Sequence, residues 1–382
     1  MASGQIFMME SMNLKRNRVV QAMERAQLDA LIGASPENAV YLSGAYNPIR
    51  RLIPERPAIV LWPKEGSPLL IAAAIEEAFL LERSAISDLW LYQGATEAAV
   101  SMLADALGKQ QLLTARLGID LEGISAYFFQ ELHRRVPAAK FQDSTRLFAE
   151  LRAVKNDEEV EVLRHAAQST DYAEWRALEA FRAGWTEIEL GTHLRQALIG
   201  QGAETIAFLI LGGSLQGMVA HAIPSNHSLV PGELVRLDMG GFFGGWASDL
   251  AKTACVGDPS PRQRHIYRTL RSLLDEHIAR IRPGTTAGNL FNAVVSGFQR
   301  ACLKFGAPHV GHGIGLSVHE WPILSAGNPA LIQPGMVISA ELIYIEEDRE
   351  RYHLEELVHV QEGETKVISD SRPVQKEIPV IG

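Results

Sequence analysis

Five side chains, Asp238, Asp249, His312, Glu341 and Glu355, stand at strand-like or glycine-rich positions where ionised groups are hard to explain as surface decoration. Four carboxylates gathered around one imidazole repel one another unless divalent cations lie between them. A pair of cations held in this way is a device for making hydroxide from water. An oxygen-rich ligand set with one nitrogen suits manganese, cobalt, zinc or iron, and the residue types leave that choice open.

Local pattern indicates which elements must position these groups. The stretch from Glu233 to Ala254 reads as strand, glycine-rich turn and strand, with the turn centred near Phe243 and Gly244. Facing residues of a hairpin have numbers with a constant sum, so this centre sets Asp238 directly opposite Asp249, with Arg236 on the same face as a local counter-charge. Met336 to Tyr344 is an apolar strand interrupted by Glu341, and a second strand begins at Leu354. A turn centred on Asp348 sets Glu341 opposite Glu355. A lone acid inside an apolar strand carries a desolvation penalty that a metal can offset. Glu356 alternates to the opposite face and is expected to be solvated or to support the site from behind. His312 lies in Val310-Gly-His-Gly-Ile-Gly, where the flanking glycines allow close backbone approach and angles that a side chain would forbid. They also break any helix, which separates this pattern from the helical His-Glu-x-x-His zinc signature.

As an ordered set, Asp238, ten intervening residues, Asp249, Gly311-His-Gly-Ile-Gly, Gly335-Met-Val-x-x-x-Glu341 and the final Glu355 resemble the pita-bread metallopeptidase family. That family includes Xaa-Pro dipeptidases (prolidases), aminopeptidase P, methionine aminopeptidases and creatinase-like relatives. The resemblance covers residues 151–365 well and the N-terminal third more loosely, through Ser35-Pro-Glu-Asn-Ala-Val-Tyr-Leu-Ser-Gly. It implies an α+β fold: a pita-bread catalytic domain over 151–382, with an antiparallel sheet covered by helices, after a smaller creatinase-like α/β domain over 1–150. It further implies two divalent metal ions, with Asp249 and Glu355 bridging, Asp238 completing one site, and His312 with Glu341 the other. A metal-bridging hydroxide would then attack the carbonyl, Glu341 moving its proton to the leaving nitrogen. His221 and His319 match family positions that contact the scissile group. All five ligand positions carry the ligand residue type, which disfavours the metal-free creatinase branch.

Departures from the family pattern fall at the substrate end. His353 stands where prolidase-like enzymes usually have an Arg, Leu342 replaces a Pro, and Ala251-Lys-Thr replaces Thr-Arg-Thr. Histidine does not replace a permanently charged guanidinium conservatively. His221, His319, Trp321 and His353 are the candidate substrate-binding residues, with Lys252 or Arg351 as alternatives for binding a substrate carboxylate. Three functions follow: a Xaa-Pro dipeptidase or aminopeptidase, a metal-dependent hydrolase or lyase acting on a non-peptide small molecule, and a binding module without catalysis.

The 382 residues are long for one core, and 47% hydrophobic with 21% charged residues is an ordinary globular balance. A net charge of -9 argues against nucleic acid as a partner. No apolar run spans a bilayer, the start lacks a signal-peptide pattern, and two cysteines are too few for a disulfide framework. A cytoplasmic enzyme acting on a small peptide or other small molecule is expected, and the resemblance implies a homodimer. Strands are expected over 28–33, 57–62 and 68–72, and helices from near Asn13, over 72–82 and 96–107, from Asn156 to about Arg182, from a capping box at Thr186, and over 261–281 and 287–305.

Overall fold

The computed structural model describes residues 15–213, 217–346, 349–372 and 375–382. The N-terminal stretch scanned for a signal pattern, the helix start near Asn13 and the turn centre at Asp348 lie outside the described residues. Two compact units divide the chain, one ending at Arg152 and the other running from Ala153.

A six-stranded mixed sheet organises the first unit, built from β1 (Ala30–Gly33), β2 (Ile59–Pro63), β3 (Leu69–Ala73), β4 (Asp88–Tyr92), β5 (Arg116–Ile119) and β6 (Lys140–Asp143) in the order β4-β3-β2-β1-β5-β6. The helices Thr96–Lys109 and Ala126–Arg135 close its core through Ala99, Val100, Leu103, Ala106 and Leu107 on one and Phe128 and Leu132 on the other, at helical spacing. One expected element needs correction: residues 72–82 are not one helix. Ala72 and Ala73 finish β3, which pairs with β2 and β4 on both sides, and the helix starts only at Glu77 after a 3-10 turn. Pairing with Leu91 and Tyr92 of β4 outweighs the helix preference of these two alanines.

The second unit carries two five-stranded sheets. One contains β7 (Thr205–Gly213), β8 (Leu234–Phe243), β9 (Trp246–Ala247), β10 (Leu250–Val256) and β16 (Val380–Ile381), ordered β16-β10-β8-β7 with β9 pairing β8. The other contains β11 (His309–Gly313), β12 (Glu320–Ser325), β13 (Val337–Glu346), β14 (Glu350–Val360) and β15 (Thr365–Val367), ordered β12-β11-β13-β14-β15. Pairing is antiparallel throughout except between β10 and β16. Thr253 of β10 joins the sheets: its hydroxyl accepts from His353 N of β14 (2.8 Å) and donates to His353 O (3.1 Å).

Four helices among the described residues cover this unit, and their starts are written in the sequence. Asn156, Thr186 and Ser260 form capping boxes with Glu159, Glu189 and Gln263 for the helices Asp157–Ala180, Glu187–Gly200 and Pro261–Arg280, and Thr286 caps Ala287–Arg300. The first two pack Leu190, Leu194 and Leu198, with Ala173 and Ala177, against β8. The last two pack Leu270, Leu274, Leu290 and Phe298 against β13 and β14. No described helix is long and apolar enough to cross a membrane, and both cysteines are free thiols.

Candidate metal centre

The two hairpins deliver their acids by different routes. In β13–β14 an unbroken ladder pairs Glu341 directly with Glu355, and the two carboxylates share one face. In the β8 hairpin the turn lies one residue later than expected. Gly244 (φ 57°) and Gly245 (φ 87°) both occupy the left-handed region that suits a tight two-residue hairpin turn. Asp238 therefore faces Ala251 rather than Asp249. The displacement is two residues, an even number, so Asp238 and Asp249 still project to one side.

His312 enters from β11, next to Ser339 of β13. The glycines around it are sterically required: a Cβ on Gly311 (φ 138°) would lie 2.2 Å from Ser339 O, and one on Gly313 would lie 2.4 Å from Trp321 O. His312 Nδ1 is 2.9 Å from Gly313 O, which fixes the ring with Nδ1 as donor. Nε2 is thereby presented as a lone pair, 3.5 Å from Asp249 Oδ2 and 3.9 Å from Glu341 Oε1. Burial pulls the His312 pKa below its ordinary value, with Glu341 opposing, so the ring is a neutral ligand type.

All five predicted ligands are buried. Their donor atoms converge in three overlapping groups, each with every atom within 4.8 Å of the others: Asp249, His312 and His319; Glu341, His353 and Glu355; and Asp238, Asp249 and Glu355. Asp249 and Glu355 each belong to two groups. The electrostatics describe a site built around missing positive charge. Burial, followed by Asp238 and Glu341, raises the Asp249 pKa well above the usual carboxylate range, and burial, followed by Asp249, does the same to Glu355. Burial works against Glu341 too, but His309 and His353 outweigh it and hold this carboxyl well below the usual range. Like-charged carboxylates at this separation in a dry site fit divalent cations held by oxygen and imidazole ligands.

The remaining predicted residues divide. His319 stacks on His312 with centroids 3.8 Å apart and 18° between planes. One edge stays open to solvent, yet loss of hydration on the stacked face, then the proximity of His312, pulls its pKa down to about 4. His353 is not aimed at an open pocket. It is buried, with Nδ1 3.4 Å from Asp238 Oδ2 and Nε2 2.9 Å from Glu341 Oε2, so both ring nitrogens face ligand carboxylates. Burial alone would lower its pKa; Asp238 and Glu341 more than offset that and raise it to about 10. His221 is exposed and belongs to none of the three groups, and Trp321 is half-buried and packs against the core of the β13–β14 sheet.

Two features were not anticipated. His309, at the start of β11, places Nδ1 2.9 Å from Glu341 Oε1. Its only sequence signal is its place three residues before His312. Arg236 donates to Val219 O (3.2 Å) and Ala220 O (2.5 Å), and Arg351 to Met218 O (3.2 Å), so two strands of the site grip the segment that leads to His221. Arg236 is the alternative to metal as a counter-charge for an aspartate, but its Nη2 stands 3.8 Å from Asp238 Oδ2, beyond hydrogen-bond range. Glu356 is neither solvated nor directed at the metals; on the opposite face it pairs with Arg271 (2.9 Å).

Comparison with known proteins agrees with this geometry. Residues 161–362 match the model of metallopeptidase family M24, and residues 15–154 match the creatinase/prolidase N-terminal domain. A Xaa-Pro dipeptidase of Pyrococcus horikoshii is 25% identical over 343 residues, covering 87% of this chain and 90% of that protein. The crystal structure of dipeptidase PepE from Mycobacterium ulcerans superposes with a TM-score of 0.84 at 27% identity, covering 97% of this chain and 98% of the other. A Xaa-Pro dipeptidase from Bacillus anthracis, at 22% identity, shares the fold with a TM-score of 0.85 over 97% of this chain and all of that one. A five-residue cluster of buried acids and imidazole, two antiparallel sheets under paired helices and a match across most of the catalytic unit lead to one assignment: the chain is a hydrolase of metallopeptidase family M24, with the pita-bread fold and a creatinase-like N-terminal domain.

Proposed function

We propose that this chain is a dinuclear-metal Xaa-Pro dipeptidase or aminopeptidase, cleaving the bond before proline. The observation that carries the reading is the overlap of the three ligand groups on Asp249 and Glu355, which suits two carboxylates each shared between a pair of cations. In this reading Asp238 completes one site, and His312 with Glu341 the other. Two divalent cations held there would acidify a shared water and polarise the scissile carbonyl.

Glu341, held ionised by His309 and His353, accepts the proton of the attacking water and returns it to the leaving nitrogen. His319, uncharged near neutrality, donates a hydrogen bond to the reacting carbonyl oxygen as charge develops there. His221, on the segment gripped by Arg236 and Arg351, holds the substrate from the open side. Homodimerisation and a cytoplasmic location belong to the same reading, drawn from the family likeness.

A second reading, a metal-dependent hydrolase or lyase acting on a non-peptide, is favoured by one observation: His353 replaces the usual Arg and is turned inward between Asp238 and Glu341. Proline release from Xaa-Pro dipeptides and longer Xaa-Pro peptides, with manganese and cobalt loaded separately and Asp249→Asn as blank, decides between them. Turnover of dipeptides alone identifies a dipeptidase, and turnover of longer peptides an aminopeptidase. No release by protein holding two metals moves the assignment to the non-peptide reading.

A further inference from the structure

We propose that Arg236 and Arg351 together form an anion site that binds the free α-carboxylate of the substrate, so that the preferred substrates end one residue beyond the scissile bond. This rests on the peptidase reading above. His353 is not available to an anion, because both of its ring nitrogens already face Asp238 and Glu341. Lys252 is equally unavailable. It points to the other side of β10, with Nζ 2.6 Å from Asp171 Oδ1 and 3.1 Å from Glu174 Oε2.

Strand alternation places the two arginines where a carboxylate anchor is needed. Arg236 precedes Asp238 by two residues in β8, and Arg351 precedes His353 by two in β14, so both project to the metal-centre side, one step further along each strand. Arg236 is 2% exposed, whereas Arg351 is half-buried and opens toward solvent. Both side chains reach one tetrapeptide: Arg236 donates to Gly217 O, Val219 O and Ala220 O, and Arg351 to Met218 O.

Among the described residues no carboxylate hydrogen-bonds either guanidinium group. Among the described residues Arg351 has no carboxylate within ion-pair distance, and the one near Arg236, at 3.8 Å, is the ligand Asp238. The backbone carbonyls of Gly217, Met218, Val219 and Ala220 take Nη protons from the two side chains, but carbonyls are neutral, and each Nε is buried without a hydrogen-bond partner. A clamp on a loop needs only donors, whereas the buried charge of Arg236 is costly unless an anion completes it. A planar guanidinium with a free Nε edge is matched in shape and charge by a carboxylate.

The test compares Ala-Pro with Ala-Pro-amide on the metal-loaded full-length enzyme, in wild type, Arg351→Met and Arg351→Lys, together with calorimetric binding of L-proline and L-prolinamide. Wild type is expected to show a KM for Ala-Pro about 10- to 100-fold below that for the amide, the size of one charge-assisted hydrogen-bonded contact. Arg351→Met raises the KM of Ala-Pro by at least 10-fold more than it changes that of the amide, so that the discrimination between the two is lost, while Arg351→Lys restores part of it. Equal losses on both substrates, or no discrimination in wild type, would overturn the anion site and leave only a loop clamp. If no Xaa-Pro compound is cleaved, the peptidase reading fails separately. L-proline binding that is lost in Arg351→Met then still supports the anion site, and the absence of L-proline binding in wild type overturns it.

Discussion

Two buried acidic clusters lie on opposite sides of the same strands, and they solve the same electrostatic problem differently. Behind β10 and β14, Asp171, Glu174 and Glu356 are met by cations of the chain itself: Lys252 reaches Asp171 and Glu174, and Arg271 reaches Glu356 and Asp275. Burial would strip the proton from Lys252, but Glu174 and Asp171 hold it in place. In front, four carboxylates share His353 and His309, with Arg236 standing off at 3.8 Å. A cluster that carries its own cations is structural. Burial raises Glu174, to about 8, as it raises Asp249 and Glu355; Lys252 faces Glu174, whereas among the described residues no Lys or Arg pairs with Asp249 or Glu355, an arrangement that suits cations from outside.

The largest effect that could break this contrast is expected from Asp249→Asn. It removes a carboxylate shared by two ligand groups, so metal affinity should fall by more than the roughly 100-fold typical of losing a mere supporting contact, and turnover should vanish. Metal analysis after dialysis and a peptidase assay check it; full metal content would contradict the shared role. On the other side, Lys252→Met should leave metal stoichiometry unaltered while lowering stability by about 3–5 kcal/mol, because it strands Asp171 and Glu174 without their cation. Chemical denaturation measures that loss, and an unchanged midpoint would show that the rear cluster does not depend on Lys252.

The pH dependence of stability sharpens the comparison further. His353 has an ordinary value of 6.5 and about 10 in the folded, metal-free protein, so its protonated form stabilises fully below pH 6.5 and that contribution is lost as pH rises through 10. The raised pKa values of Asp249 and Glu355 act in the same direction. Metal-free protein should therefore lose stability on going from neutral to alkaline pH, and saturating divalent cation should abolish that slope. Thermal unfolding across this range, with and without metal, reads both; a flat metal-free profile would remove the electrostatic account of the front cluster. The smallest effect is expected from His309→Asn, which loosens the hold on Glu341 Oε1 and should cost about 10-fold in turnover with both metals retained.

Much of this was legible in residue order. The Glu341–Glu355 register could be deduced because β13 and β14 pair without a bulge, so arithmetic from a single turn survives along the whole ladder. The same arithmetic erred by two positions for Asp238 and Asp249. Gly-Gly-Phe-Phe-Gly-Gly offers more than one turn centre, and the choice depends on which pair adopts left-handed angles. Helix starts were readable from Asn156, Thr186 and Ser260, whose caps are local chemistry. The inward turn of His353 was not readable, because it depends on Asp238 and Glu341 arriving from two other strands. The convergence of Arg236 and Arg351 on residues 217–220 depends likewise on contacts distant in sequence. Lys252, a candidate for the substrate carboxylate by sequence, instead points to the opposite face of β10 and pairs with Asp171 and Glu174 of the helix Asp157–Ala180.

The claim that the front cluster is a two-cation site is tested most directly by calorimetric titration of metal-free protein with manganese, alongside the Asp249→Asn variant. The proposed two-cation reading predicts two equivalents per chain in wild type and a marked loss in the variant. Wild-type protein that takes up no divalent cation, or a variant that binds as wild type does, would contradict it.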